Sequence, residues 1–393
     1  MNNTGWSCET PRKCQLEAYS KITENDQGIV NMTCGAGKTD VQIKTMFDYN
    51  VILHISPRKI LVSEHSNKYE LMLKNADYNI IQVNSDLNNS HKYVAGVKTV
   101  FFINIQSLYI FEQLGVKPEL VIVDEAHYMT QSIVDNDLVN SVKNVYLFTA
   151  TPNSLLLKTW PEIFKYMYSQ AVLDKCVCDF TITLIKEKQE NPKKVIAELK
   201  QKMKENNLYK CIVYLNGSHA NTKHDLVVDN FNGIKGILTL TGKDNDKVAI
   251  LKKFNQDPKI TILVSCKTVS MGYNMNNCDC VLIDRPGNSI SDNVQRMMRC
   301  LRIGKPDKKP IVFLRMPDLD LDDEDDSGYY ESESEENDSE DITESVQKSK
   351  FSKIMLIINC LKQGLGLETL EEYLCRKSEE TEQIKDEDRK SVV

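Results

Sequence analysis

Twice along this 393-residue chain, short β-branched or aromatic runs alternate with stretches long enough to form a helix, and that rhythm constrains the fold more than any other feature. Between residues 28 and 156 the runs read GIVNMTC, VILHIS, NIIQVN, VFFINI, LVIVDE and VYLFTA. From about Asp179 they read FTITLI, CIVYLN, ILTLTG, ITILVS, CVLIDR and PIVFLR. Runs this apolar suit strands buried on both faces, and helix-length text between them supplies crossovers, so each series predicts a parallel sheet covered by helices. The expected class is α/β with two tandem domains, at 1–156 and 179–316, and a connector at 157–178 carrying the amphipathic text WPEIFKYMYSQAVL. Residues 317–345 are acidic and poor in large aliphatics, so they are expected to stay disordered. Residues 346–393 read as two short helices around Gly364 and Gly366, followed by a charged tail.

The net charge of −7 conceals an asymmetry. Residues 317–345 hold 15 Asp or Glu and no Lys or Arg, while 346–393 balance, so removing those fifteen charges leaves +8 on residues 1–316. A basic body favours an anionic partner such as nucleic acid, although a solvated surface excess gives the same count. No apolar run approaches the ~18 residues of a membrane helix, and the polar start MNNTGWSCETPRK lacks the apolar core of a signal peptide. A soluble, intracellular monomer without a membrane partner is therefore expected. The twelve cysteines include only two close pairs, Cys176/Cys178 and Cys278/Cys280, both in strand-like text, a spacing that supports neither disulfides nor structural zinc.

Gly35-Ala36-Gly37-Lys38-Thr39 follows the first apolar run and opens a helix-compatible segment. Glycines let the backbone curl until successive N–H groups, with the positive helix start, face phosphate oxygens. Lys38 would reach the β and γ phosphates and the Thr39 hydroxyl would ligate Mg²⁺. The spacing of a full phosphate loop is incomplete, because Met32 stands where its first glycine belongs.

Asp124-Glu125-Ala126-His127 ends the run ELVIV, where a parallel strand delivers side chains to a crevice. Asp124 could hold the Mg²⁺ shell while Glu125 acts as general base on water; in isolation, a capping Asp-Glu pair would read the same. Thr149-Ala150-Thr151 ends another run, and its hydroxyls could bond the 124–127 turn. In the second domain, Gln295-Arg296-x-x-Arg299-x-x-Arg302 would place three arginines on one helical face, either a cationic stripe for developing phosphoryl charge or a solvated basic surface.

In order and spacing, this set resembles the superfamily 2 helicases over about residues 9–316, and is more similar to the helicase parts of type III restriction enzymes and the helicases of large DNA viruses than to the DEAD-box RNA helicases. The resemblance implies two RecA-like domains, ATP and Mg²⁺ as cofactors, and a nucleic-acid strand, DNA or RNA, as track. Arg12 and Gln15 would form the adenine-reading Q motif; Thr33, Cys34, Gly35, Ala36, Gly37, Lys38 and Thr39 would hold nucleotide. DEAH at 124–127 would be motif II, and Thr149 with Thr151, beside His127, the coupling motif III. Pro57, Arg58, Gln106, Ser107, Thr241 and Gly242 would contact the nucleic-acid backbone. Gly272 and Asn274, within Ser270–Asn274, would be motif V, and Gln295, Arg299 and Arg302 the catalytic end of motif VI. Met298 and Asn274 depart from the family's usual Gly and Asp.

The expected activity is thus ATP hydrolysis coupled to movement on a strand. The alternative is a helicase-like clamp or regulatory subunit of a transcription or replication complex that hydrolyses ATP weakly. A polymerase or transcription complex is a possible partner under either reading. The 32 Asn, with abundant Lys and Ile, fit an AT-rich coding genome such as that of a large DNA virus, which would imply host cytoplasm or virion.

Overall fold

The computed structural model describes residues 6, 10–84, 87–187, 192–215, 231, 233–241, 244, 246–265, 277–284, 289–303, 307–317 and 353–363. The chain divides into two compact units, one of Met1–Lys175 with Cys360–Val393 and one of Cys176–Asn359.

The first unit holds β1 (Gln27–Met32), β2 (Val51–Ser56), β3 (Asn79–Asn84), β4 (Leu87–Asn88), β5 (Thr99–Asn104), β6 (Leu120–Asp124), β7 (Asn144–Thr149) and β8 (Glu162–Tyr166). Their order in the sheet is β4-β3-β5-β2-β6-β7-β1-β8. Only the two-residue β4 runs antiparallel to its neighbour; every other pairing is parallel. Ile29, Leu53, Ile55, Phe101, Ile103, Val121, Val123 and Leu147 are buried in one cluster on this sheet.

All six runs read from the sequence in this half are strands. The segment expected to be a connector is not one throughout, because β8 lies inside it and pairs with β1 from Ile29–Glu162 to Met32–Tyr166. The sequence concealed β8 because it is an edge strand with half-exposed faces, so its text mixes polar and aromatic residues without a continuous apolar run. Gly28 permits the pairing: a Cβ there would overlap the Ile163 side chain and press on the Pro161 carbonyl.

The second unit holds β9 (Thr181–Glu187), β10 (Cys211–Leu215), β11 (Ile237–Leu240), β12 (Ile262–Ser265), β13 (Cys280–Asp284) and β14 (Ile311–Pro317). The order is β11-β12-β10-β13-β14-β9, parallel throughout. All six correspond to runs read from the sequence. Cys211, Cys278 and Cys280 are fully buried, as small core residues are. Residues 353–363 form a helix that buries Ile354, Ile357, Ile358 and Leu361, the spacing of one helical face. The expected acidic segment and the second C-terminal helix lie outside the described residues.

Parallel strands share a carboxyl edge, and in the first unit the loops after β1, β2, β5, β6 and β7 carry every site residue expected after a strand. Among the described residues, no helix is long and apolar enough to cross a membrane.

Candidate active site

The loop after β1 is shaped by two left-handed glycines, Gly35 at φ 85° and Gly37 at φ 93°, before the helix Lys38–Met46 begins. Glycines at these φ values let the loop curl tightly into the helix start, the kind of turn an anion cradle uses. Gly37 is constrained twice, since a Cβ would also overlap the Gln15 amide nitrogen. Met32, at the position where a phosphate loop usually has its first glycine, needs no such freedom: it ends β1 in extended backbone with its side chain fully buried. Its carbonyl accepts a 3.0 Å hydrogen bond from Lys38 Nζ, which is itself buried.

Arg12 and Gln15 begin the helix Lys13–Glu24, 23 and 22 residues before the loop atoms they touch. Arg12 Nη1 donates to the Gly35 carbonyl at 2.7 Å. Gln15 Nε2 donates to the Gly37 carbonyl at 3.2 Å and to Asp40 Oδ2 at 3.1 Å, while its Oε1 accepts the Arg12 backbone N–H at 2.7 Å. Both residues expected to read a base therefore also brace the loop. Asp40, which the sequence did not single out, further accepts from Tyr69 Oη at 3.3 Å and lies 3.9 Å from Lys68 Nζ.

Asp124 ends β6 with only 5% exposure. Burial, then the neighbouring Glu125 carboxylate, pushes its carboxyl up to about 7, while a hydrogen bond from Gln42 acts the other way. Glu125 has left-handed backbone, φ 48° and ψ 48°, rare for a side chain of this kind, and opens the 3₁₀ turn Ala126–Tyr128. Strain of this sort is held in place by its surroundings and is concentrated at functional sites. Glu125 Oε2 lies 3.7 Å from His127 Nδ1, and the same nitrogen is 2.8 Å from Thr149 Oγ1. Thr149 Oγ1 also accepts the Thr151 backbone N–H at 3.1 Å, so the turns after β6 and β7 are bonded together as expected.

Behind Asp124 lies a polar cluster that the sequence reading missed. Gln42 Nε2 donates to Asp124 Oδ1 at 2.7 Å; His54 Nε2 is 3.2 Å from Gln42 Oε1; His65 Nε2 is 3.6 Å from Asp124 Oδ2. The two imidazoles meet edge to face at 5.0 Å. Burial holds His65 at about 4 and His54 well below the ordinary histidine range. These residues sit singly in two helices and a strand without a motif; the only sequence cue was polar text at core-facing positions, such as His54 within VILHIS.

The donor set fits a Mg-nucleotide. The glycine turn and Lys38 suit phosphates, and the Thr39 hydroxyl and Asp124 carboxylate are hard oxygen groups of the kind Mg²⁺ prefers. Farther along the same edge, Pro57 and Arg58 follow β2 at the start of the helix Lys59–Asn75. Gln106 and Ser107 follow β5; Gln106 Oε1 accepts from Asn104 Nδ2, and Ser107 is buried.

In the second unit, Thr241 caps a tight turn, its N–H and hydroxyl donating to Asp244 Oδ2 at 2.6 and 2.9 Å. Gly242, Gly272 and Asn274 lie outside the described residues. The expected helical arginine stripe does not form. The helix Ile290–Met297 ends before Arg299, because the chain turns away to bury Cys300 and Leu301 and to bridge Arg302 with Val177. Arg296 is buried with its guanidinium 5.6 Å from the Tyr214 ring, and Gln295 and Arg299 are buried as well. Met298, where the family has glycine, adopts ordinary right-handed backbone at φ −63° and buries its side chain.

Residues 9–154 match the family described as the res subunit of type III restriction enzymes, and residues 187–304 match the helicase conserved C-terminal domain. No curated protein matches the sequence. Among solved structures, a fragment of an HsdR subunit of a type I restriction enzyme from Vibrio vulnificus is similar at 18% identity and TM-score 0.57, over 79% of this chain and 65% of that one. S. cerevisiae Dbp5 bound to RNA and ADP BeF3 is similar at 14% identity and TM-score 0.59, over 79% and 85%. Mycobacterium smegmatis helicase Lhr bound to ssDNA and AMP-PNP is similar at 14% identity and TM-score 0.56, over 79% and 46%. The chain thus spans under two thirds of the Vibrio fragment and under half of Lhr.

Proposed function

We propose, from the premise that the chain belongs to the superfamily 2 helicases, that it hydrolyses Mg-ATP and uses the energy to move along a nucleic-acid strand. The observation that carries this reading is the meeting, on one sheet edge, of a glycine-shaped loop, a buried lysine, a buried aspartate and a strained glutamate. A carboxylate held in left-handed backbone beside that loop supports hydrolysis over clamping alone.

In this reading the 33–37 loop and Lys38 hold the phosphates, with Gln15 and Arg12 fixing the loop and facing the base. Thr39 and Asp124 would hold Mg²⁺, which when bound neutralises charge on the phosphate oxygens. Glu125 takes the proton of the attacking water, and His127 passes the state of that carboxylate to Thr149 and Thr151. The resemblance assigns Arg299 and Arg302 to the charge that develops on the transferred phosphoryl group, with Gln295 beside them and Gly272 and Asn274 at the nucleotide. Pro57, Arg58, Gln106, Ser107, Thr241 and Gly242 would grip the strand through its backbone. Such contacts position the strand without reading sequence, so binding should weaken steeply with salt. A transcription or replication complex is the partner that such a motor would serve.

The test is steady-state ATP hydrolysis by wild type and Glu125→Gln, alone and with single-stranded DNA, RNA or duplex DNA at low salt. Hydrolysis that rises with one polymer and vanishes in the variant supports the motor and identifies its track. Undiminished hydrolysis by Glu125→Gln would overturn the assignment of the base. Near-zero hydrolysis with every polymer, despite binding, would favour the clamp.

A further inference from the structure

Gln42, His54 and Ser56 form a buried line of hydrogen-bonding groups that ends on Asp124. Gln42 lies one turn beyond Lys38 in the helix Lys38–Met46, and His54 and Ser56 share one face of β2, the neighbour of β6. Their exposures are 0% for Gln42, 1% for His54 and 0% for Ser56. Gln42 Nε2 donates to Asp124 Oδ1 at 2.7 Å. That bond fixes the amide, since the flipped orientation would set two acceptors against each other. Gln42 Oε1 then faces His54 Nε2 at 3.2 Å and can only accept, so that nitrogen carries the proton. His54 Nδ1 is left as the acceptor toward Ser56 Oγ, 3.5 Å away.

Every group in the line points its donor toward the carboxylate. Three buried polar side chains in a core are expensive where leucine or phenylalanine would pack, unless each is satisfied by the others. Partners behind a metal ligand orient it and are worth much of its affinity. We propose that Gln42, itself oriented by His54, is a positioning residue that locks the Asp124 carboxylate in the rotation needed to hold Mg²⁺. The inference rests on Asp124 being the Mg²⁺ ligand of the proposed function. Gln42 touches neither nucleotide nor metal and acts through Asp124.

The experiment measures the affinity of a fluorescent ADP analogue with Mg²⁺ and with EDTA, for the full chain carrying Gln42→Met, His54→Phe, both together, or Asp124→Asn. Thermal melting verifies that each variant is folded. Gln42→Met keeps the side-chain volume and removes both polar atoms. The expected result is an increase of about 10–100-fold in the Mg²⁺ concentration that half-saturates binding, with affinity in EDTA unchanged from wild type. His54→Phe should shift it in the same direction by less, and the double variant should match Gln42→Met, because the hydrogen-bonded path from His54 to Asp124 runs through Gln42.

An unchanged Mg²⁺ requirement in folded Gln42→Met, while Asp124→Asn loses Mg²⁺ dependence, would overturn the positioning role and leave the proposed function standing. An equal fall with Mg²⁺ and EDTA would also overturn it, by showing damage to the phosphate loop. Unchanged Mg²⁺ dependence in Asp124→Asn would instead remove the metal assignment, and the inference with it. Should Gln42→Met not fold, Gln42→Asn, whose amide is too short to reach Asp124, makes the same comparison.

Discussion

The side-chain amide of Gln15 donates to the Asp40 carboxylate at 3.1 Å across 25 residues of sequence, and through the same nitrogen to the Gly37 carbonyl. The residue expected to read a base is thus a strut of the glycine loop before Lys38. Gln15→Ala removes both bonds and leaves the Arg12 N–H without its Oε1 partner. A loss of about 1–3 kcal/mol in urea unfolding is expected, together with weaker nucleotide binding. Gln15→Glu should be worse than alanine, because it sets a second carboxylate against Asp40 and removes the donor. Gln15→Ala that matches wild type in both assays would show that the strut contributes nothing.

Positions 32 and 37 should respond to substitution in opposite ways. Gly37→Ala meets a left-handed backbone and the Gln15 amide together, so loss of nucleotide binding is expected, with destabilisation of about 1–3 kcal/mol. Met32→Gly restores the residue usual in phosphate loops, yet it deletes a fully buried side chain at the end of β1. It should destabilise by at least the ~2–5 kcal/mol typical of buried Met→Ala and bring no gain in affinity. Tighter nucleotide binding by Met32→Gly would contradict the extended backbone found there.

Two buried cations in the second unit differ in partners and should differ in worth. Lys210 Nζ donates to the carbonyls of Phe254 at 2.6 Å, Asp257 at 2.7 Å and Ile260, closing the end of the helix Lys247–Gln256. Arg296 Nε and Nη1 are buried without a hydrogen bond, and its guanidinium rests on Tyr214. Lys210→Met should cost about 3–5 kcal/mol, since three carbonyls lose their donor. Arg296→Met should be close to neutral, because the desolvation of a poorly bonded cation offsets its attractions. Denaturant midpoints of the two variants provide the comparison, and a loss from Arg296→Met as large as that from Lys210→Met would refute it.

The sequence disclosed what repeats and what is spaced. Twelve strands were legible because they are written as nearly unbroken apolar runs; β8 was not because its text, EIFKY, mixes charged with aromatic residues, nor was β4, which has only two residues. The glycine turn before Lys38, the Asp124–Glu125 turn, and the pairing of His127 with Thr149 were legible because loop geometry is compressed into a few adjacent residues. Gln42, His54 and Asp40 were not, because partners behind a site are scattered singly through helices and strands and meet only after folding. Arg299 and Arg302 were placed on a helix that stops at Met297, since periodicity does not show that burial of Leu301 turns the chain aside.

Acid should unfold the nucleotide-free protein partly through His54. Burial is the largest cause of its depressed basicity, followed by the facing His65, so the ring is neutral in the folded state at pH values where the unfolded ring, near 6.5, takes a proton. The unfolded state then binds more protons below about pH 6.5, so stability rises with pH there; the contribution is fully present above that value and is lost as pH falls toward the folded-state value. Each such group gives a slope approaching about 1.4 kcal/mol per pH unit. The other ionisable side chains of this cluster are His65, which titrates in the same sense, and Asp124. A carboxyl pushed up to about 7 contributes stability that is full below pH 3.8 and lost as pH rises through 7, so it opposes the histidines between those values. His54→Phe, in contact with Phe102 across 5.1 Å in the wild-type packing, removes one proton from the acid side of this balance. Urea unfolding between pH 5 and 6.5 should show a slope lower by up to one proton in the variant. An unchanged slope would mean that His54 is already charged within the fold, contrary to its burial.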